Sequence, residues 1–360
     1  MYTVLPLTAA LVGIVSAAPA GSKRDFSPDN VYYPLSNGFP NPNPAAVQKI
    51  QMDADGPLSN APPPDKGPSA DGITSLKLVA FNELFEVAYF NELIYNVTEK
   101  VPGYDLGYGH EYVIDALRAI TAQEQLHALN ANGGLKRAKV DQIEPCKYSF
   151  PVTDFQSAIS LAATFTDIVL GTLQDVIQVF AKNGDDGLAR GTASSLGNEG
   201  EQEGFFRLVQ KKRPSAKPFL TAGVRDFAFT AVQGFTIPGS CPNIDTIPLK
   251  TFKPLTVESK DIKAETQALH FSFAKEHAGT EDWASLSVVF INGQTVPIVK
   301  SLDKVKVEGD TVHFEAGFPF DEFVMNGLTI AAVTKGSGPF PNAPAVAKEA
   351  IFGPGLIEIE

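Results

Sequence analysis

Ile120-Thr-Ala-Gln-Glu-Gln-Leu-His127 lies in a segment where Val113, Leu117, Ile120, Glu124, His127 and Ala131 recur at alternating steps of four and three. Those steps trace one face of an α-helix, and a face otherwise apolar is a buried one. Glu124 and His127 interrupt it. A Glu and a His three residues apart lie about 60° apart on one helix face, so both can reach a single metal ion.

Two further segments share the pattern. Val79, Glu83, Glu86, Phe90, Leu93 and Val97 precede it, and Leu188, Thr192, Ser195, Glu199, Gln202, Phe206 and Val209 follow it. Each places an acid midway along a mostly apolar stripe. Pro102-Gly103, Gly133-Gly134, Asn183-Gly184 and Pro214 are the stop signals between them,. They predict helices at 74–98, 110–132, 154–182 and 188–211, with a shorter fifth at 218–233. Thr153-Asp-Phe-Gln156 has capping-box spacing at the start of the third,. Long helices with short connections predict an antiparallel four-helix bundle over 71–242.

Several carboxylates converging in such a core need a shared cation or protons, because burying one alone costs several kcal/mol. Carboxylate-bridged di-iron and di-manganese bundles take a Glu from each of two helices and Glu-x-x-His from each of the other two. Glu124 and His127 meet that pattern, and Glu86 or Glu83 serves the first helix. Glu199 serves the fourth, where Gln202 stands in place of His. In the third, Asp167 is the nearest acid, although Thr166 lies more squarely on the apolar stripe. The competing reading is a bundle whose central polar residues only hydrogen-bond one another. Under the metal reading Glu86, Glu124, His127 and Glu199 point into one cavity.

Phe81-Asn-Glu-Leu-Phe-Glu-Val-Ala-Tyr-Phe90, Ile120–His127, Asn198-Glu-Gly-Glu-Gln-Glu-Gly-Phe-Phe-Arg207 and Gly234-Phe-Thr-Ile-Pro-Gly-Ser-Cys-Pro242 carry a resemblance. Together they resemble the ferritin-like domain of secreted fungal proteins that include the late sexual development proteins. They are also similar to yeast stress-response proteins and plant desiccation-related proteins. The resemblance implies metal ligands at Glu86, Glu124, His127, Glu199 and the position of Gln202. It also implies a developmental or stress role, and it fixes no reaction. Gln202 departs from the pattern and puts a two-metal site in doubt.

The rest of the chain sets the compartment. MYTVLPLTAALVGIVSAAPA opens it without a charged side chain and ends in small residues, as a signal peptide at 1–18 does,. Residues 19–70, rich in Pro and Asn, read as an extended arm with a dibasic Lys23-Arg24,. In an oxidising compartment the only two cysteines, Cys146 and Cys241, are expected to pair,. Asn96-Val97-Thr98 is a sequon, read as a glycan at an exposed helix end,. The 360 residues carry a net charge of −12, which argues against nucleic acid as partner,. After the signal no apolar run is long enough to span a membrane.

Past Pro242 the pattern changes to period two. Ala268–Ala274, Ser285–Ile291, Lys304–Val307, Thr311–Glu315 and Leu328–Val333 read as strands, with Asn292-Gly293 as a hairpin turn,. The fold class expected is therefore α+β in two domains, a ferritin-like bundle and a small β-sandwich over 245–360. The β region is the expected contact for a cell-wall or other extracellular partner. The expected function is a secreted structural or protective protein, non-catalytic, with a degenerate metal site. The alternative is an iron or manganese redox protein acting on oxygen or peroxide.

Overall fold

A computed structural model of the chain describes residues 33–60 and 66–359. The expected signal peptide and Lys23-Arg24 lie outside the described residues. The fold is α+β, with helices first and two antiparallel four-stranded sheets after them.

Four long helices form the first part: α2 (Ala70–Thr98), α3 (His110–Arg137), α4 (Phe155–Asn183) and α5 (Asp186–Val209). The ends are set by local chemistry. Ser69 caps α2 by accepting the Gly72 N–H at 2.9 Å, and its own N–H donates to Asp185 just before α5. The cap of α4 falls one residue later than its sequence spacing predicts. Asp154 accepts from the Ser157 N–H, and Ser157 answers at the Asp154 N–H. Thr153 instead donates its hydroxyl to Asp154 Oδ2 at 3.3 Å. Gly184, at φ 74°, ends α4.

α2 packs against α3, α4 against α5, and α2 against α4. Aromatic rings fill the space between them. Phe85 and Tyr89 of α2 meet Phe165 of α4 at 5.1 and 4.9 Å, and Phe90 stacks on Phe206 of α5. Among the described residues only α4 is long and apolar enough to cross a membrane, and most of it is buried inside the protein.

The 19–70 segment corrects one expectation. It contains a helix, α1 (Pro44–Asp53), capped by Asn43 and started by Pro44 in its first turn,. Ile50 and Ala54 pack on Ala122 and Leu126 of α3. Asn96 corrects another. It is only 2% exposed, on a face of α2 turned into the protein, which leaves no room for a glycan.

The expected disulfide is present: Cys146, between α3 and α4, joins Cys241, beyond α6 (Arg225–Gln233).

The strands are β1 (Thr256–Val257), β2 (Gln267–Ala274), β3 (Leu286–Asn292), β4 (Ile298–Ser301), β5 (Asp303–Glu308), β6 (Thr311–Phe318), β7 (Gly327–Lys335) and β8 (Ala350–Ile359). They form two sheets, in the orders β1-β2-β6-β5 and β4-β3-β7-β8. Phe271 of one sheet lies 6.2 Å from Phe290 of the other, and Phe273 stacks on Phe352 at 4.2 Å. The two sheets thus pack face to face. The second sheet is buried on its other face too, where Val289, Ile291 and Ile330 meet Ile168, Phe227 and Val346. Burial on both faces explains why Val288-Val-Phe-Ile291 is a continuous apolar run.

Segment 221–223 pins helices to sheets. The Ala222 N–H donates to Gly293 O at 2.9 Å, and the Gly223 N–H to Gly171 O of α4 at 3.2 Å. A Cβ on Gly171 would stand 2.5 Å from Thr221 O. Gly171→Ala is therefore expected to destabilise by about 1–3 kcal/mol, since backbone must move to admit it. Urea unfolding measures this, and an unchanged midpoint would show that the crossing has spare room.

Candidate metal centre

The apolar stripes bring five ionisable side chains to the middle of the helical layer. Glu83 and Glu86 come from α2, Glu124 and His127 from α3, and Glu199 from α5. All four carboxylates are 2% exposed or less. One ligand atom each from Glu83, Glu124, His127 and Glu199 lies within 4.8 Å of the others. From His127 Nδ1 the distances are 3.0 Å to Glu124 Oε2, 3.6 Å to Glu83 Oε2 and 3.9 Å to Glu199 Oε1.

Glu83, which the sequence offered only as a substitute for Glu86, is the α2 carboxylate in this set. Glu86 is buried nearby, and its titration responds to Glu124, Glu199, Glu83 and His127. Gln202 does something other than stand in for a ligand. Its Nε2 donates to Glu124 Oε1 at 2.6 Å and also contacts Gln123 Oε1 and Asn198 Oδ1. An amide in that position fixes one oxygen of Glu124 and leaves the other on His127.

α4 contributes no member of the set. The structure places Asp167 elsewhere, in a second buried charged group with Glu203, Lys217 and Glu358. Burial, then repulsion from Asp167 and Glu358, raises Glu203 well above the usual carboxylate range. Burial pushes the Lys217 ammonium down to about 8. Sequence reasoning passed over Glu203. Its one signal is Arg207 four residues on, which lies 3.9 Å away,.

The centre is short of cations. Glu83 Oε2, Glu86 Oε1 and both oxygens of Glu199 are buried without a hydrogen-bond partner among the described residues. Burial is the main force raising Glu83, Glu86 and Glu199 well above the normal range, and their mutual repulsion adds to it. Glu124 goes the other way. Burial pushes it up, but the charge and hydrogen bond of His127, with bonds from Glu83 and Gln202, hold it down. His127 is the counterpart. Burial disfavours its cation, yet Glu124 above all lifts it from 6.5 to about 9. Without metal, one imidazolium and several protons neutralise the centre.

A metal ion suits the same residues. Three carboxylates and one imidazole form a hard-to-borderline donor set of the kind that iron, manganese and zinc take. The unpartnered oxygens of Glu83 and Glu199 are what a cation would satisfy, and binding it would displace protons.

No family model and no curated protein sequence matches this chain.

The proton count fixes a sign. His127 contributes stability to the metal-free fold that is full below pH 6.5 and is lost as pH rises through about 9,. Glu83, Glu86 and Glu199, raised in the fold, contribute in the same sense, losing stability as pH climbs above the unfolded carboxylate range,. Glu124, lowered, matters only in acid. The melting temperature of metal-stripped protein is therefore expected to fall between about pH 5 and 8. Glu199→Gln should flatten that slope. A melting temperature that rises over the range would show the carboxylates to be ionised and paired.

Proposed function

We propose that this chain is a secreted metal-holding protein of the ferritin-like type, with a structural or protective role in fungal development or stress. The observation that carries the metal is the four-residue set within 4.8 Å, three of its members being carboxylates almost wholly removed from water. Glu83, Glu124, His127 and Glu199 would hold one iron or manganese ion. A single ion, and in that sense a degenerate site, is favoured because Gln202 is engaged with Glu124 and α4 offers no ligand. The packing of α2 to α5 and the resemblance of their central segments support the ferritin-like assignment. The disulfide is consistent with secretion,. We place contact with a cell wall or another extracellular partner on the β region, where β5 keeps most of its residues in water.

Redox chemistry on oxygen or peroxide is the second reading, and Glu86 favours it. When bound, iron or manganese supplies Lewis-acid and one-electron chemistry. Glu86, raised by burial in the metal-free fold and outside the four-ligand set, is a carboxyl placed to give or take a proton beside that set, and its Oε1 has no partner among the described residues.

Protein purified without chelators is expected to contain about one iron or manganese per chain, and adding the metal to stripped protein should raise its melting temperature. No bound metal and no change in melting would overturn the metal assignment. Peroxide consumption that Glu86→Gln slows at unchanged metal content would select the redox reading. Absence of turnover in the loaded protein would select the structural one.

A further inference from the structure

Between the helices and the sheets lies a cavity of about 410 Å³. α2, α4, the end of α6, residues 251–257 and the Gly353–Leu356 stretch of β8 line it. Phe85, Phe165, Phe235 and Phe252 supply much of its wall, and the rest mixes aliphatic side chains with threonines and a few other polar groups. Cavities of this size, mostly apolar with a few fixed polar groups, are what small-molecule sites look like.

Asn82 is the buried polar group on that wall whose donor is left unpaired. It borders the cavity, is 6% exposed, and its Nδ2 has no hydrogen-bond partner among the described residues. Native folds seldom leave a buried amide N–H unsatisfied, because nothing replaces the water it gave up. The wall also carries Thr164, Thr230, Gln233, Thr251, Lys253 and Thr256, and none of them gives Nδ2 an acceptor, so an occupant carrying one would satisfy it. Asn82 also borders, with Glu83, a second and much smaller void. The polar end of an occupant would thus lie one residue along α2 from the four-residue set.

We infer that this cavity is a binding site for an apolar small molecule carrying a hydrogen-bond acceptor, such as a ketone or ester, which Asn82 receives. Molecules of about 20 non-hydrogen atoms match a site of this size. The inference does not depend on a metal being held. It adds a small-molecule site to a protein otherwise read through its buried carboxylates.

The test uses the full chain and prodan, an apolar naphthyl ketone with one carbonyl acceptor, beside dimethylaminonaphthalene, which lacks the ketone. Prodan is expected to bind saturably at one per chain with blue-shifted emission. Asn82→Leu should weaken prodan about five- to tenfold, as loss of one hydrogen bond does, and leave the ketone-free compound unchanged. Ala231→Trp and Leu356→Trp, each placing an indole into the cavity, should weaken both probes more than about tenfold. Prodan bound to either folded Trp variant as tightly as to wild type would overturn the proposal. Should both Trp variants fail to fold, the Asn82→Leu comparison decides, and an equal effect on the two probes, or none on either, overturns it.

Discussion

Glu124→Ala is expected to abolish metal retention while leaving the helices packed. Glu124 is fully buried, and both of its oxygens are held at close range by other side chains of the site. One oxygen lies 3.0 Å from His127 Nδ1 and the other 2.6 Å from Gln202 Nε2. Alanine removes a ligand and also frees the imidazole that Glu124 orients. Loss of an orienting partner alone typically costs 10–100-fold in metal affinity. Loss of ligand and orientation together should exceed that. In wild type, metal at 100 times its dissociation constant stabilises the fold by about 2.7 kcal/mol, and in the variant by almost nothing. The apolar stripe around position 124 is untouched, so circular dichroism should be unchanged. Melting curves of both proteins with and without manganese make the measurement. Wild-type curves that coincide would remove the metal reading and leave a proton-neutralised core.

How far the centre was legible follows from what a stripe encodes. Steps of four and three place a residue on a face, which is enough to find Glu83, Glu86, Glu124, His127 and Glu199. They do not say which of two acids on one helix turns toward the partner helices. Glu83 and Glu86 stand three apart on one stripe, and the choice of Glu83 depends on how α2 is rotated against α3 and α5. Asp167 was read by elimination, as the acid nearest the middle of its helix. It faces another charged group, of which Lys217 and Glu358 are far away in sequence. No local pattern contains that information. Asn96 fails for the same reason, because a three-residue sequon carries no record of burial.

The fold was legible wherever period and punctuation agreed. Five strands sit on the five period-two stretches, and Gly293 at φ 58° makes the Asn292-Gly293 turn. β8 was hidden by Gly353-Pro-Gly355, which reads as a break. There a register shift lets the strand run past the interruption. α1 was hidden by its surroundings, since flanking prolines made the whole segment look extended. Pro44 in fact occupies the first turn, where a missing N–H costs nothing,. The apolar layer that joins α4 and α6 to the second sheet was visible only as a continuous run in β3. Periodicity cannot say what covers the second face of a strand.

Replacing both Cys146 and Cys241 with alanine is expected to lower stability by about 4–5 kcal/mol, the largest stability effect predicted for this chain. The two cysteines are 95 residues apart, so the bond closes a loop holding α4, α5 and α6. In the folded protein the bond is almost redundant. The Ile237 N–H donates to Lys147 O at 2.8 Å and the Ser149 N–H to Phe235 O at 2.8 Å. Those main-chain bonds hold the same two segments together, and the aromatic packing of Phe85 on Tyr148 and Phe235 reinforces them. Cutting the bond should therefore leave the native state little changed and act on the unfolded chain, which gains freedom. Two consequences separate this from a loss of native packing. The dependence of unfolding free energy on urea should steepen in the double variant, because its unfolded state exposes more surface. The metal affinity of the folded variant should match wild type, since no residue of the four-ligand set belongs to the bonded segments. Equal urea midpoints for oxidised wild type and variant would mean that the unfolded chain is already compact enough for the bond to constrain nothing.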